Sequence, residues 1–201
     1  MPRLCIFARA PVLGEVKTRL AATLSGEGAL RAHERLVWDT LDRLAEIPGV
    51  QSELWVAGAT NHPLVERWRA GRLLTLRRQV GNDLGERMAH AISACLESGC
   101  VGLIVGSDCP TITAEYIRQA VAALDEHDLV LGPAEDGGYG LIGLRIHAPE
   151  LFRGIPWSTA EVFAETIKRA GCCGLSWTAL ETVWDVDDEA DWLRFLALRD
   201  S

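Results

Sequence analysis

Val101 to Ile112 reads VGLIVGSDCPTI. Val101, Leu103, Ile104 and Val105 form a short apolar run with β-branched residues, the composition of a strand buried on both faces of a parallel sheet. Gly106-Ser107-Asp108-Cys109-Pro110 ends that strand, and Thr113 has the chemistry of an N-cap for the helix after it. Asp108 therefore falls just past the carboxyl end of a central strand, where open α/β sheets bind their ligands. A lone carboxylate there suits a hard divalent cation such as Mg²⁺ or Mn²⁺. The alternative is that Asp108 only caps its own turn around Pro110.

Outward from this stretch, strands and helices alternate. Arg3–Ala8 predicts the first strand. Arg9–Leu20 is a loop with three cations, Arg9, Lys17 and Arg19, against one acid, Glu15. A basic loop after the first strand of an acidic protein points to an anion site, where phosphate meets backbone N–H groups and cationic side chains together. It contains neither a Walker A sequence nor GxGxxG; a solvated loop with local ion pairs is the alternative. Leu30, Val37, Leu41 and Leu44 predict a helix over about 30–45. Strands are expected at Glu53–Ala57 and Leu73–Arg77, with a short helix at Leu64–Trp68 between them.

Leu84, Met88, Ala91, Ile92 and Cys95 define a helix from about Asp83 to Glu97, with Asn82 as its expected N-cap. Gly85 in its first turn costs about 1 kcal/mol against Ala, which makes sense where a backbone or ligand approaches closely. A local Asp83–Arg87 pair is the plain reading of those two charges. Ile117, Val121 and Leu124 predict a helix over Ala114–Glu126. Strands at Asp128–Pro133 and Leu141–Leu144 flank Glu135-Asp136-Gly137-Gly138-Tyr139-Gly140, a hairpin turn or a floor for a flat ligand, with Asp136 a second candidate carboxylate. Ser158 and Glu161 read as a capping box for a helix to about Arg169. A strand near Leu175–Thr178 precedes WDVDDEADW, in which Asp188 and Asp191 suit the N-cap and N3 of a terminal helix. Asp185 and Asp187 are left with no such role, and alternation in an extended segment aims both the same way. Two carboxylates so placed are costly unless a cation neutralises them.

The chain has 201 residues, enough for one α/β domain over 1–201 with a sizeable core. A net charge of −8 argues against nucleic acid as a partner. No apolar run approaches the roughly 20 residues of a membrane helix, and the apolar start Leu4–Phe7 is too short for a secretory signal, so the cytoplasm is the expected location. Of the six cysteines, none forms a CxxC pair, and reduced thiols are expected; Cys109, beside Asp108, is the one expected to reach solvent. The histidines show no metal-ligand spacing. Seven tryptophans leave room for a homodimer surface.

FARAPVLGEVKTRLA, QVGNDLGERM, VGSDCPTI, GPAEDGGYGLIGL, PWST and WDVDD, in this order, resemble the bacterial transferases associated with radical-SAM and selenodomain proteins, the arsenosugar-biosynthesis glycosyltransferase-like family of the GT-A nucleotide-diphospho-sugar transferase superfamily. The opening loop is also similar to that of 2-phospholactate guanylyltransferases. Arg9 stands where the family more often has lysine, and Pro110 takes the third position of the Asp-x-Asp usual in glycosyltransferases of this fold. The resemblance implies a three-layer αβα domain with a mostly parallel sheet. It implies Asp108 and Asp187 as ligands of Mg²⁺ or Mn²⁺, and Lys17 and Arg19 on phosphate oxygens. Ala8, Arg9 and Gly14 of the first loop, with Gln79, Gly81, Asp83, Gly85 and Arg87, would surround base and ribose, and Ser107 would join them. Asp136, Gly137 and Gly138 would lie by the sugar or acceptor, Asp136 as the base. The expected activity is metal-dependent transfer from a nucleotide sugar to a small-molecule acceptor. Nucleotidyl transfer from an NTP to a phosphorylated or carboxylate acceptor is the alternative, and a non-catalytic nucleotide-binding domain a third reading.

Overall fold

The computed structural model describes residues 1–199. Seven strands, β1 (Arg3–Arg9), β2 (Gln51–Ala57), β3 (Thr75–Arg78), β4 (Gly102–Gly106), β5 (Leu129–Pro133), β6 (Tyr139–Leu144) and β7 (Trp177–Ala179), form one sheet in the order β3-β2-β1-β4-β6-β5-β7. β6 is antiparallel to both its neighbours; every other pairing is parallel. The sheet is thus mostly parallel, and its reversal at β6 follows from the short turn that joins it to β5.

The helices are α1 (Ala21–Leu44), α2 (Pro63–Arg69), α3 (Leu84–Glu97), α4 (Ala114–Glu126), α5 (Val162–Cys172) and α6 (Glu189–Arg199). Period-two alternation along β1 splits the core. Leu4, Ile6 and Ala8 pack with Leu41, Trp68 and Ile117 of α1, α2 and α4. Cys5 and Phe7 pack on the other face with Met88, Ile92 and Cys95 of α3 and Ala170 of α5. Each large side chain so buried contributes about 1.5–3 kcal/mol. A third cluster, Leu20, Leu36, Trp184, Val186 and Phe195, fastens α6 against α1.

Three local expectations are corrected. The first helix starts at Ala21 rather than near Leu30, across a kink where Ser25 takes φ 67° and its hydroxyl accepts from Gly28 N. Asp83, not Asn82, caps α3: its carboxylate accepts from Glu86 N at 2.7 Å, and Glu86 in turn accepts from Asn82 N at 2.8 Å. Ser158 caps nothing. It sits at φ 66°, and α5 begins four residues later because Phe163 N donates to Gly137 O, fixing the helix start from the neighbouring hairpin. At α6 the expected cap is present: Asp191 N donates to Asp188 Oδ1, while Asp191 Oδ2 accepts from Asp187 N and Asp188 N.

Candidate active site

The carboxyl ends of β1 and β4 lie side by side, so the loops after them meet. Lys17, from the first loop, reaches across and donates to Asp108 Oδ2 at 2.6 Å, with Asp187 Oδ1 3.7 Å away. Arg19 pairs with the other oxygen of Asp187. Lys17 is almost fully enclosed and holds φ 45°, a strained backbone for a lysine, of the sort that gathers at functional sites. The segment before α6 is tied to the same place by backbone, Val186 N donating to Asp108 O at 3.0 Å. Asp185 and Asp187 flank that bond.

The Asp108 loop is held from behind. Arg43 of α1 donates to the carbonyls of Cys109 and Ile112, and to Asp39 Oδ2 at 3.0 Å. Asp39 also pairs with Arg199, so α6 is anchored to the same network. Burial lowers the pKa of the Arg43 guanidinium, and Asp39 only partly offsets this.

The electrostatics are those of several acids around one cation. Burial works to lower the Lys17 pKa, but the charge and hydrogen bond of Asp108, with Asp187 and Asp185 behind them, raise it overall, so the ammonium stays charged. Burial works to raise the Asp108 carboxyl, and Lys17 wins, holding it below the ordinary range. Among the described residues no cation pairs with Asp185 as Lys17 does with Asp108. Burial first, then the charges of Asp108 and Asp136, push it up to about 7. Behind Lys17, burial keeps His33 below its ordinary pKa, and its Nε2 bonds the Arg9 carbonyl at 3.0 Å.

A cleft of about 200 Å³ opens beside this cluster, lined by Asp108, Asp136, Asp185, Gly138, Tyr139, Trp157 and Ser158. Asp136 Oδ1 accepts from Gly138 N at 2.8 Å, which shapes the β5–β6 turn and leaves its carboxylate on the cleft wall. Of the sequence-predicted residues, Asp108, Asp136 and Gly138 line the cleft, and Lys17, Asp187 and Arg19 are joined to it in a chain of contacts that starts at Asp108. Asp185 joins them. Its alternation with Asp187 was legible, and its closeness to Asp108 and Asp136 was not.

Others among the expected residues do structural work. Gln79 Nε2 donates to Ala8 O and Trp55 O, closing the ends of β1 and β2. Arg87 donates to Gly81 O rather than pairing with Asp83. Arg9 is turned to Glu15 O on the surface. Gly85 yields its space to protein: a Cβ there would stand 2.7 Å from Phe152 O and 2.8 Å from the Trp157 ring. Gly137, at φ 87°, yields to the Ala160 backbone. Gly14 turns the first loop at φ 80°, and Ser107 is buried under the Asp108 turn. Cys109 is buried, at 3% exposure on the cleft lining, rather than open to solvent. Burial and the neighbouring Asp108 push its thiol up, which disfavours the reactive thiolate.

Comparison with known proteins places this architecture. The model of the family described as "Uncharacterized protein conserved in bacteria (DUF2064)" matches residues 40–159, more than half of the chain. The 3-phospho-D-glycerate guanylyltransferase of Phenylobacterium zucineum (strain HLK1) is 31% identical over 170 residues, covering 82% of this chain and 75% of that protein. A Desulfovibrio desulfuricans G20 structure, provisionally described as a nucleotide-diphospho-sugar transferase, superposes with TM-score 0.83 at 31% identity, over 94% of this chain and 84% of that one. A 4-diphosphocytidyl-2C-methyl-D-erythritol synthase from Anaerococcus prevotii DSM 20548 shares the fold at TM-score 0.66 and 10% identity, over 100% of this chain and 96% of that one.

Proposed function

The chain belongs to the DUF2064 family and is a nucleotide-dependent transferase; from that premise we propose that it transfers a nucleotidyl group, guanylyl from GTP, to a small phosphorylated acid. The observation that carries this reading is the placement of Lys17 between Asp108 and Asp187 at the carboxyl ends of β1 and β4. An enclosed ammonium bonded to the cleft-lining Asp108 is placed to stabilise the charge that builds on a leaving diphosphate. Arg19, largely exposed, adds a second donor to the same oxygens.

The acceptor's phosphate or carboxylate oxygen attacks the α-phosphorus. A P–O bond forms there, the bond to the β-phosphate oxygen breaks, and diphosphate leaves with the electron pair. The nucleophile is already anionic, so the protein need supply no base. Its task is positioning and charge. The relative that is 31% identical is named for this class of reaction.

The donor set fits a divalent ion shared with substrate. Asp108 and Asp187 both contact Lys17, their side chains are 32% and 45% exposed, and Asp108 lines the cleft. Two carboxylates suit Mg²⁺ or Mn²⁺ that completes its shell with phosphate oxygens and water. Such an ion would neutralise phosphate charge there.

Glycosyl transfer from a nucleotide sugar is the second reading. It is favoured by Asp136 on the cleft wall, where a carboxylate could take a proton from an acceptor hydroxyl. One assay separates the two: NTPs and nucleotide sugars offered with 3-phosphoglycerate, with and without Mg²⁺ or Mn²⁺, and diphosphate and nucleoside diphosphate both measured. Diphosphate released from GTP, dependent on acceptor, is the expected result. Nucleoside diphosphate released from nucleotide sugars alone would replace the first reading with the second.

A further inference from the structure

The face of the sheet that carries α3 is left uncovered toward its β3 edge, and a second cleft of about 290 Å³ sits there. It shares no lining residue with the candidate active site. On that face β2 places Glu53 in register with Cys5 and Thr75, and Trp55 in register with Phe7 and Arg77. A strand flanked by parallel neighbours ordinarily keeps such a position apolar. Glu53 is instead a charge that is 1% exposed.

Its two oxygens are treated differently. Oε2 accepts from Trp55 Nε1 at 2.9 Å. Oε1 has guanidinium nitrogens of Arg3 and Arg77 at 3.5 and 3.6 Å, yet no donor makes a hydrogen bond to it. Arg3 Nε is also buried with no acceptor. The cleft thus holds side by side a buried donor and a buried acceptor that make no hydrogen bond among the described residues, the acceptor ion-paired at longer range to Arg3 and Arg77, with Arg77, Arg78, His90 and Glu97 on its walls. Buried polar groups left in this state call for a partner.

One small group answers both: an oxyanion that still carries a proton. Its bare oxygens accept from Arg3 Nε and the Arg77 guanidinium, and its O–H donates to Glu53 Oε1. An ionised carboxylate only accepts, so it repels an oxyanion with no proton to offer. We propose that this cleft binds a protonated phosphate group, either inorganic phosphate or the phosphate of a small phosphomonoester. The proposal is independent of the nucleotidyl-transfer reading.

Calorimetric titration tests it, with inorganic phosphate, sulfate and glycerol 2-phosphate as probes, on the unaltered protein and on Arg77→Ala and Glu53→Gln. Sulfate matches phosphate in shape but has no proton at neutral pH. Phosphate should bind at least about tenfold tighter than sulfate, and Arg77→Ala should weaken phosphate by about tenfold, the scale of one charge-assisted hydrogen bond. Glu53→Gln, whose amide donates, should narrow or reverse the preference for phosphate. Arg77 is half exposed on an edge strand, so its variant keeps the test open should Glu53→Gln not fold. Displacement of phosphate by glycerol 2-phosphate assigns the site to esters, and failure to displace assigns it to free phosphate. The proposal is overturned if phosphate does not bind, if sulfate binds equally well, or if Arg77→Ala leaves phosphate affinity unchanged.

Discussion

Lys17 Nζ stands 2.6 Å from Asp108 Oδ2, joining the first loop of the chain to the end of its central strand. Each of the two groups holds the other in its charged form against the cost of enclosure. Lys17→Met keeps much of the volume and removes the charge. It should lower kcat by about 10²–10³, the usual loss for one donor to developing charge, while Asp108 regains an elevated pKa. Steady-state kinetics of nucleotidyl transfer check this; a variant with unchanged kcat would remove Lys17 from the chemistry.

Arg43 acts on the cleft through backbone, holding the carbonyls of Cys109 and Ile112 while paired with Asp39. Arg43→Ala removes one of the two guanidinium partners of Asp39, which keeps Arg199, and takes the side-chain donor from the Ile112 and Cys109 carbonyls, the latter keeping Ile112 N. Loss of these partly enclosed hydrogen bonds costs about 1–3 kcal/mol. Arg43→Lys should restore part of that stability. It should not restore nucleotide affinity, because an ammonium lacks the guanidinium's planar spread of nitrogens, which reach Asp39 from Nε and the two carbonyls from the terminal nitrogens. Urea unfolding and nucleotide binding, measured on both variants, test the two halves of this statement.

Gly85 and Gly171 predict opposite outcomes for the same substitution. Alanine gains about 1 kcal/mol of helix propensity over glycine at either site. At Gly85 the added methyl meets Phe152 O and the Trp157 ring below 3 Å, and overpacking of that kind costs about 1–3 kcal/mol. Gly171, inside α5, has nothing within 4 Å. Gly85→Ala should lower Tm, and Gly171→Ala should raise it.

Asp128 fastens β5 to β7. It accepts from Ser176 N at 3.0 Å and Ser176 Oγ at 2.8 Å, and from Arg145 Nε at 3.0 Å. The Ser176 bonds, then Arg145, hold its carboxyl below the ordinary value. The unfolded chain therefore takes up its proton first as pH falls. The stabilisation is complete well above the ordinary carboxylate pKa of about 3.9 and fades as pH drops through the lower folded value. Asp128→Asn should lower stability at pH 7 and flatten the acid limb of the stability curve. Chemical denaturation between pH 7 and pH 3 measures both effects.

Much of the candidate site is legible in the sequence. Asp108 was legible because the run of Leu103, Ile104 and Val105 stops on it, and Lys17 and Arg19 because they crowd a loop in an acidic chain. Asp187 stood out because Asp188 and Asp191 had capping work and it did not. Ser158 misled because Ser-x-x-Glu is a local signal, whereas the start of α5 is set by Gly137 across a turn. Gly85 announced a close approach without saying what approaches. Glu53 was silent, since ELWVA is an ordinary strand until β1, β3 and α3 surround it.

Val186 N reaches the Asp108 carbonyl from a part of the chain synthesised long after Lys17 and Asp108. A nascent polypeptide still lacking residues 185–187 would carry the basic arm and the central acid with no counterpart for Arg19. Catalytic competence should accordingly appear only once that acidic stretch has cleared the ribosome and docked.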